Sequence, residues 1–141
     1  MHVYSHHVRY HEVDQQGFLF NGRYLEICDV AFAEFIRTLG WTYGELNELG
    51  ADPSVVSVNA QFAVPARYDD LLDVDVQCVR VGTSSFELRN VISRKSELIA
   101  ELTMVHVNVD AKEEKSVPLP EKVATALRAA LRSEKDPNGK Q

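Results

Sequence analysis

Hydrophobic and polar positions between residues 24 and 39 follow the period of an α-helix. On a helical wheel the charged residues fall within an arc of roughly 140°, and apolar residues fill the rest of the circumference. A helix with so wide an apolar face must be surrounded by other elements, so we expect it to form the core. Gly40 is placed to end this helix, and residues 41–49 fit a short second helix.

Most of the remaining chain alternates between apolar and polar residues, which is typical of strands. Residues 3–12 predict a first strand, although its alternation is imperfect. After Pro53 the period of two is sustained, and a strand over 98–110 is apolar on both faces, as expected inside a sheet. The predicted strands of this part of the chain are 56–64, 72–81 with a bulge near 79–81, 86–92 after a short turn, and 98–110.

The end of the chain predicts one more helix. Pro118 and Pro120 precede an amphipathic pattern over residues 121–132, and the polar residues 134–141 are expected to be disordered. The order of a strand, a long helix, four strands and a terminal helix predicts a single α+β domain over residues 1–133. In this domain a five-stranded antiparallel sheet curls around the long central helix.

Length and charge restrict the class of partner. The chain of 141 residues fits one hydrophobic core. Its net charge of -6 argues against nucleic-acid binding, because that binding depends on clustered Lys and Arg side chains that neutralise phosphates. We therefore expect no nucleic-acid partner, and instead a small molecule or a second copy of the chain.

Cysteine usage and hydropathy predict the compartment. Cys28 lies in a helical pattern and Cys78 in a strand pattern, without the spacing of a disulfide framework, so we expect reduced, buried thiols. No apolar run reaches the roughly 18 residues that a membrane span needs, and the first residues lack the apolar core of a signal peptide. The expectation is a soluble, cytoplasmic protein without a membrane span.

The loop before the central helix carries the most specific motif. Residues 14–25 read D-Q-Q-G-F-L-F-N-G-R-Y-L, and residues 62–72 read F-A-V-P-A-R-Y-D-D-L-L. Both stretches resemble the 4-hydroxybenzoyl-CoA thioesterase family of hotdog-fold acyl-CoA thioesterases, and the resemblance covers residues 3–110. It implies a hotdog fold and the hydrolysis of a small to medium acyl or aromatic acyl thioester to a free acid and CoA.

The resemblance also implies roles for individual residues. Asp14 would be the catalytic carboxylate, either as the nucleophile on the thioester carbonyl or as the base for water. Backbone N–H groups around Asn21 and Gly22 would hold the carbonyl oxygen. Several relatives carry His at the position of Asn21 and Asn at that of Arg23. The substrate would be an acyl-CoA or an acyl-carrier protein, and the assembly a homodimer or dimer of dimers with sites at the interface.

The physical chemistry of the loop is compatible with these roles. Thioester hydrolysis places negative charge on the carbonyl oxygen, and the N-terminus of a helix stabilises such charge. Gly17 allows the backbone to turn between Asp14 and the helix. The alternative is purely structural, because Asp and Gly are ordinary turn residues and Asn21 is a favourable N-cap.

Other side chains are weaker candidates for the site. Tyr24, in the first turn of the helix, is either a pocket residue or a core residue. Asn59 and Gln61 share one face of a strand and are candidates for a neighbouring subunit's site. The candidates for an apolar pocket are Phe18, Leu19, Phe20 and Phe62, and those for binding CoA phosphates are Arg67, Arg89, Arg94 and Lys95.

Other chemistries lack the residues that they need. The five histidines have no second cluster of ligands at metal-binding spacing, so we expect no metal, and the resemblance implies no cofactor. The sequence contains neither a phosphate-binding glycine loop nor a serine hydrolase elbow. The main alternative to hydrolysis is a hotdog protein that binds acyl-CoA or an acyl-carrier protein without cleaving it. A hotdog dehydratase is weaker, because no His and acidic pair occupies the matching loop and helix.

Overall fold

The computed structural model describes the backbone of residues 1–135. Residues 136–141, which belong to the predicted disordered tail, lie outside the described part. The elements are β1 (His2–His7), a single turn of 3₁₀ helix (Tyr10–Glu12), α1 (Arg23–Thr38), α2 (Tyr43–Glu48), β2 (Pro53–Phe62), β3 (Leu71–Val81), β4 (Ser85–Arg94), β5 (Glu97–Asp110), β6 (Lys115–Ser116) and α3 (Glu121–Lys135).

The long strands form one antiparallel sheet in the order β1-β3-β4-β5-β2. The five predicted strands are confirmed, and β5 lies inside the sheet as its apolar pattern indicates. The two-residue strand β6, paired with the end of β5, is too short to leave a periodic pattern. Strand β2 has β5 on one side, and its other edge pairs with no strand among residues 1–135.

Helix α1 forms the core against one face of this sheet, which confirms the expectation from its apolar circumference. Ala31, Phe35 and Ile36 are buried, and they share a cluster with the inward-facing residues of β3, β4 and β5. Each large apolar side chain buried in this way contributes about 1.5–3 kcal/mol. Helix α3 packs against β3, with Val123 and Leu127 buried, and it extends three residues beyond the predicted end.

The prediction of a first strand over residues 3–12 is wrong in its second half. Strand β1 ends at His7, and the next residues leave the sheet in the 3₁₀ turn. The carboxylate of Glu12 accepts a hydrogen bond of 2.7 Å from the N–H of Arg9, which replaces a strand ladder with a local closed turn. Tyr10 is consequently 80% exposed rather than on a buried face.

Strand β2 begins three residues earlier than predicted, at Pro53, and ends two residues earlier, at Phe62. Its residues Val58, Ala60 and Phe62 pair with inward-facing positions of β5, so the predicted apolar face points to the helix side. A bulge between Val55 and Ser57 takes Val56 out of that phase. The bulge predicted in the third strand is confirmed between Cys78 and Arg80.

Both cysteines are free and buried, as predicted. Burial raises the pKa of the Cys28 thiol to about 12 and that of Cys78 to about 11, so both remain protonated thiols. Within residues 1–135 no helix combines the length and the apolar character that crossing a bilayer requires.

Candidate active site

The loop between the 3₁₀ turn and α1 is a tight hairpin held by backbone hydrogen bonds. The N–H of Asp14 donates to the carbonyl of Phe18 at 2.8 Å, and the N–H of Phe20 donates to that of Glu12 at 2.9 Å. Gly17 turns the chain at the tip with φ of 84°, a left-handed conformation that favours glycine. The expectation that Gly17 permits the turn is confirmed.

The two oxygens of the Asp14 carboxylate have different surroundings. Oδ1 accepts hydrogen bonds from the N–H groups of Gln16 at 2.9 Å and Phe18 at 3.2 Å. Oδ2 has no partner among the described residues, and the half-buried side chain lines a cleft. Asp14 therefore fastens the turn with one oxygen and keeps the other without a partner among the described residues, so the structural and chemical roles do not exclude each other.

The start of α1 leaves two backbone donors available. The N–H of Arg23 donates to the carbonyl of Phe20 and that of Tyr24 to the carbonyl of Asn21. The N–H groups of Asn21 and Gly22 have no acceptor within the described part of the chain. Gly22 is the N-cap, without a side-chain hydrogen bond, so the alternative in which Asn21 caps the helix is wrong. The positive end of the helix dipole and two free donors thus coincide.

A cleft of about 240 Å³ brings together three of the seven predicted catalytic and substrate-binding residues, Asp14, Asn21 and Tyr24, with some of the predicted apolar pocket residues. Asp14, Phe18 and Asn21 line it from the loop side, and Phe62 lines it from the end of β2. Tyr24 closes its inner end: the ring is buried, lies 5.1 Å from that of Phe62, and has a phenol whose pKa is raised by burial. Tyr24 is thus both a core residue and a lining residue, whereas Leu19 lines the cleft from the core and Phe20 is exposed outside it.

Asn59 and Gln61 lie away from this cleft within one subunit. They pair with Thr103 and Glu101, which alternate with the buried residues of β5 and so face away from the helices. The amide of Gln61 donates to the side-chain oxygen of Asn59 at 3.3 Å. Their predicted contribution to a neighbouring subunit's site stays a prediction.

The four basic candidates differ in their availability. Arg89 is bound to Glu101 and Gln77 on the outer face of the sheet, and Arg94 is bound to Asp70 and Glu97. The guanidinium of Arg67 lies over the ring of Phe18, 4.8 Å from its centroid, at the edge of the cleft. Lys95 is exposed. Arg67 thus contacts a lining residue without an ion-pair partner among the described residues, whereas Arg94, which donates to the carbonyl of the lining residue Pro65 at 3.5 Å, is held by two carboxylates.

A second cavity, of about 350 Å³, lies at the opposite end of β2, and the sequence pattern did not predict it. It is lined by Asp29 and Phe32 of α1, Tyr43 of α2, Val55 of β2 and His106 of β5. The signal for it is His106 itself, which follows Leu102 and Met104 in the buried phase of the strand.

His106 is a buried, neutral side chain in this cavity. It is 3% exposed, and its ring lies parallel to those of Phe32 and Phe86 with centroids 4.7 and 4.9 Å away. Burial lowers its pKa to about 4. At neutral pH it therefore offers one donor and one acceptor to the cavity.

The histidines of the first strand have protein partners. His6 and His7 bind Glu12 and Asp69, respectively. In the part of the chain that the structure describes, no three His, Cys, Asp or Glu side chains come close enough to hold a metal ion.

The comparisons with known proteins agree on the fold and the family. Residues 8–127 match the model of the thioesterase-like superfamily. The acyl-CoA thioesterase YbgC of Haemophilus influenzae is 29% identical over 121 residues, which cover 85% of this chain and 89% of that protein. A 1,4-dihydroxy-2-naphthoyl-CoA hydrolase of a Synechococcus species is 27% identical over 132 residues, which cover 89% of each chain.

A solved structure shows the same architecture. That of a gentisyl-coenzyme A thioesterase has a TM-score of 0.81 at 24% sequence identity, and the match covers 89% of this chain and 99% of that one. The likeness confirms the predicted hotdog fold. Because the family model spans most of its length, the chain belongs to the thioesterase-like superfamily.

Proposed function

We propose that the protein is an acyl-CoA thioesterase whose reaction takes place in the cleft between the Asp14 loop and the start of α1. The observation that carries this proposal is that one loop holds both an unbound carboxylate oxygen, on Asp14, and two backbone N–H groups without an acceptor, those of Asn21 and Gly22. The relatives named as acyl-CoA and naphthoyl-CoA hydrolases support the same reaction class.

The arrangement matches the charge that develops during thioester cleavage. As the carbonyl carbon is attacked, its oxygen gains negative charge, and the two N–H groups with the helix dipole stabilise it. One preorganised donor of this kind lowers the barrier by about 3–4 kcal/mol. No cationic side chain is needed at the oxygen.

Asp14 has two possible roles in the attack, and both yield the same products. As a nucleophile, Oδ2 bonds to the carbonyl carbon, the C–S bond breaks, CoA leaves as a thiolate, and water hydrolyses the acyl anhydride. As a base, Oδ2 takes a proton from water, and the resulting hydroxide attacks while CoA leaves. The products in each case are a free acid and CoA.

The unpaired edge of β2 supports a homodimer. Val55, Val58 and Phe62 on this strand and Leu25 and Val30 on α1 are all at least 40% exposed. An exposed strand edge beside an apolar surface favours association, and two copies of one edge pair naturally in antiparallel fashion around a two-fold axis. The homodimer can also form a dimer of dimers.

This pairing suggests where the acyl group binds. Antiparallel pairing of two β2 strands sets the Phe62 end of one against the Pro53 end of the other, so the Asp14 cleft of one subunit meets the second cavity of its partner. That cavity has aromatic walls with hydrogen-bonding groups on Asp29, Tyr43 and His106. It suits a flat acyl group with a polar substituent, which agrees with the gentisyl and dihydroxynaphthoyl thioesters named for relatives.

The remaining parts of the substrate are proposed from charge and compartment. Arg67, at the edge of the cleft, is the candidate for a phosphate of the CoA arm. The protein would act in the cytoplasm, where its buried free thiols, Cys28 and Cys78, remain reduced.

The decisive experiment compares two aspartates whose carboxylates each accept two backbone N–H groups of a turn. In Asp14→Asn the amide oxygen can still accept the two N–H bonds of the loop, but the charged reactive oxygen is lost. Asp110 likewise accepts from the N–H groups of Lys112 and Glu113, at 3.0 and 3.1 Å, outside the cleft. Asp110→Asn is therefore a matched control.

Purified wild-type protein and both variants are assayed against aromatic and aliphatic acyl-CoAs by release of free thiol. We expect Asp14→Asn to lose at least a hundredfold in kcat at an unchanged melting temperature, and Asp110→Asn to keep the wild-type rate. Full activity in Asp14→Asn would contradict the proposal. Stabilisation of the wild type by acyl-CoA without thiol release would instead support a non-hydrolytic binding protein.

A further inference from the structure

A part-buried chain of three side chains lies next to the Asp14 loop. Nε2 of His6 is 2.9 and 3.1 Å from the two carboxylate oxygens of Glu12, and Nδ1 of His6 is 3.0 Å from the hydroxyl of Tyr4. An ionised carboxylate only accepts hydrogen bonds, so Nε2 carries the proton, and in the neutral ring the Tyr4 hydroxyl donates to Nδ1. The three side chains form one continuous hydrogen-bonded network.

Glu12 is the buried end of this network. Its side chain is 9% exposed and that of His6 is 14% exposed. Burial by itself would raise the pKa of Glu12, yet hydrogen bonds from the N–H of Arg9 and from His6 hold this pKa below its ordinary value. The carboxylate is therefore charged at neutral pH, and a buried charge is retained only where hydrogen bonds hold it in place.

The backbone of Glu12 connects the network to both halves of the proposed site. Its carbonyl accepts the N–H of Phe20, which directly precedes the free donors of Asn21 and Gly22. Only one residue separates Glu12 from Asp14, which is tied in turn to Phe18. The position of Glu12 thus sets how far the carboxylate of Asp14 lies from the donors at the start of α1.

We infer that Tyr4, His6 and Glu12 are positioning residues that hold the Asp14 carboxylate and the Asn21 N–H group at reacting distance. Glu12 does not line the cleft, so it acts through the loop and not on the substrate. The inference rests on the proposed thioesterase function. A displacement of about 1 Å between reacting groups typically lowers a rate about a hundredfold, which sets the scale of the expected effect.

The same strand supplies a matched control. His7 is the next residue after His6, and its Nε2 lies 2.6 Å from the carboxylate of Asp69. The two side chains are 45% and 68% exposed, and the pair has no hydrogen bond to the Asp14 loop. His7 therefore makes the same kind of histidine–carboxylate contact from the same strand, without a hydrogen bond of its own to the Asp14 loop.

The test measures kcat, KM and amide hydrogen exchange for His6→Phe, His6→Gln, Tyr4→Phe and His7→Phe. His6→Phe removes the donor to Glu12, and we expect kcat to fall 10- to 100-fold with KM within threefold of wild type. His6→Gln supplies a neutral donor to Glu12 instead. Its log kcat should recover at least a third of the difference between His6→Phe and wild type. Tyr4→Phe should lower kcat two- to tenfold, and His7→Phe should leave it within twofold.

Amide exchange provides a readout that is independent of turnover. The N–H groups of Asp14 and Phe20 should exchange at least tenfold faster in His6→Phe than in wild type or His7→Phe. If the wild type hydrolyses no thioester, the proposed function fails, while the exchange data still report on the loop. If the wild type is active and both kcat and exchange are unchanged in His6→Phe and Tyr4→Phe, the positioning role is refuted. Should His6→Phe not fold, His6→Gln and Tyr4→Phe decide by the same criteria.

Discussion

The buried imidazole of His106 should make the protein lose stability in mild acid, and replacing this side chain should remove that loss. The ring is 3% exposed and stacked beside two phenylalanine rings, and its pKa is lowered to about 4, against about 6.5 for an exposed histidine. The folded protein therefore binds fewer protons at this site than the unfolded chain. Because the folded pKa is the lower one, stability is unaffected above pH 6.5 and falls as the pH drops from 6.5 to about 4.

The size of the effect follows from these two pKa values. Between pH 7 and pH 5 the imidazole of His106 becomes almost fully protonated in the unfolded chain, while it remains mostly neutral in the folded protein. The corresponding loss in the free energy of unfolding is about 2 kcal/mol. The variant His106→Phe keeps an aromatic ring beside Phe32 and Phe86 but does not titrate, so this contribution to the pH dependence should disappear.

The assay is urea denaturation of both proteins at pH 7 and pH 5, at equal protein concentration in case they form dimers. The quantity of interest is the change in unfolding free energy between the two pH values within each protein. Any pH-independent effect of the substitution on packing cancels in that difference, and the contributions of carboxylates such as Glu12 cancel when the differences of the two proteins are compared. An equal loss in both proteins would refute the assignment of a low pKa to His106.

Three further predictions concern the loop, the substrate and the interface. Gly17→Ala should lower the free energy of unfolding by about 1 kcal/mol, because nothing lies within 4 Å of an added Cβ and the cost is that of a left-handed backbone alone. Gly44→Ala, in a helix, should not lower it, and thermal melting of both variants measures the difference. Arg67→Ala should raise KM about three- to tenfold for acyl-CoAs but not for the N-acetylcysteamine thioesters of the same acids, which have no phosphates. An equal rise in KM for both kinds of substrate would exclude a phosphate contact. Val58→Lys should place a charge in the proposed dimer interface, so sedimentation should show an inactive monomer, whereas Val79→Lys on β3 should keep the proposed dimer; an active Val58→Lys monomer would contradict the proposed interface.

Periodicity alone predicted the parts of the fold that depend on it. The apolar circumference of α1 required a surrounding sheet, and the alternation after Pro53 predicted the four long strands that follow the helices. The predicted end of β1 was wrong because the side chain of Glu12 accepts a hydrogen bond from the N–H of Arg9, and a hydrophobic pattern contains no sign of such a local hydrogen bond. The two-residue strand β6 was missed because it is shorter than one period of alternation.

The candidate site was predictable only where its residues are close in sequence. Asp14, Gly17 and Asn21 belong to one motif, and the structure places them in one hairpin at the start of α1. The second cavity draws its lining from α1, α2, β2 and β5, so its existence depends on tertiary packing. His106 could have been suspected as a polar residue in the buried phase of a strand, but its neighbours could not.

The different surroundings of the two Asp14 oxygens determine the stage at which this carboxylate loses its rotational entropy. In solution a carboxylate rotates freely, and either oxygen can meet a substrate. Here the hydrogen bonds from Gln16 and Phe18 to Oδ1 stop this rotation when the loop folds. In the proposed reaction every incoming thioester would therefore meet the same oxygen in the same direction, and the loss of rotational freedom would belong to folding and add nothing to the barrier of the reaction.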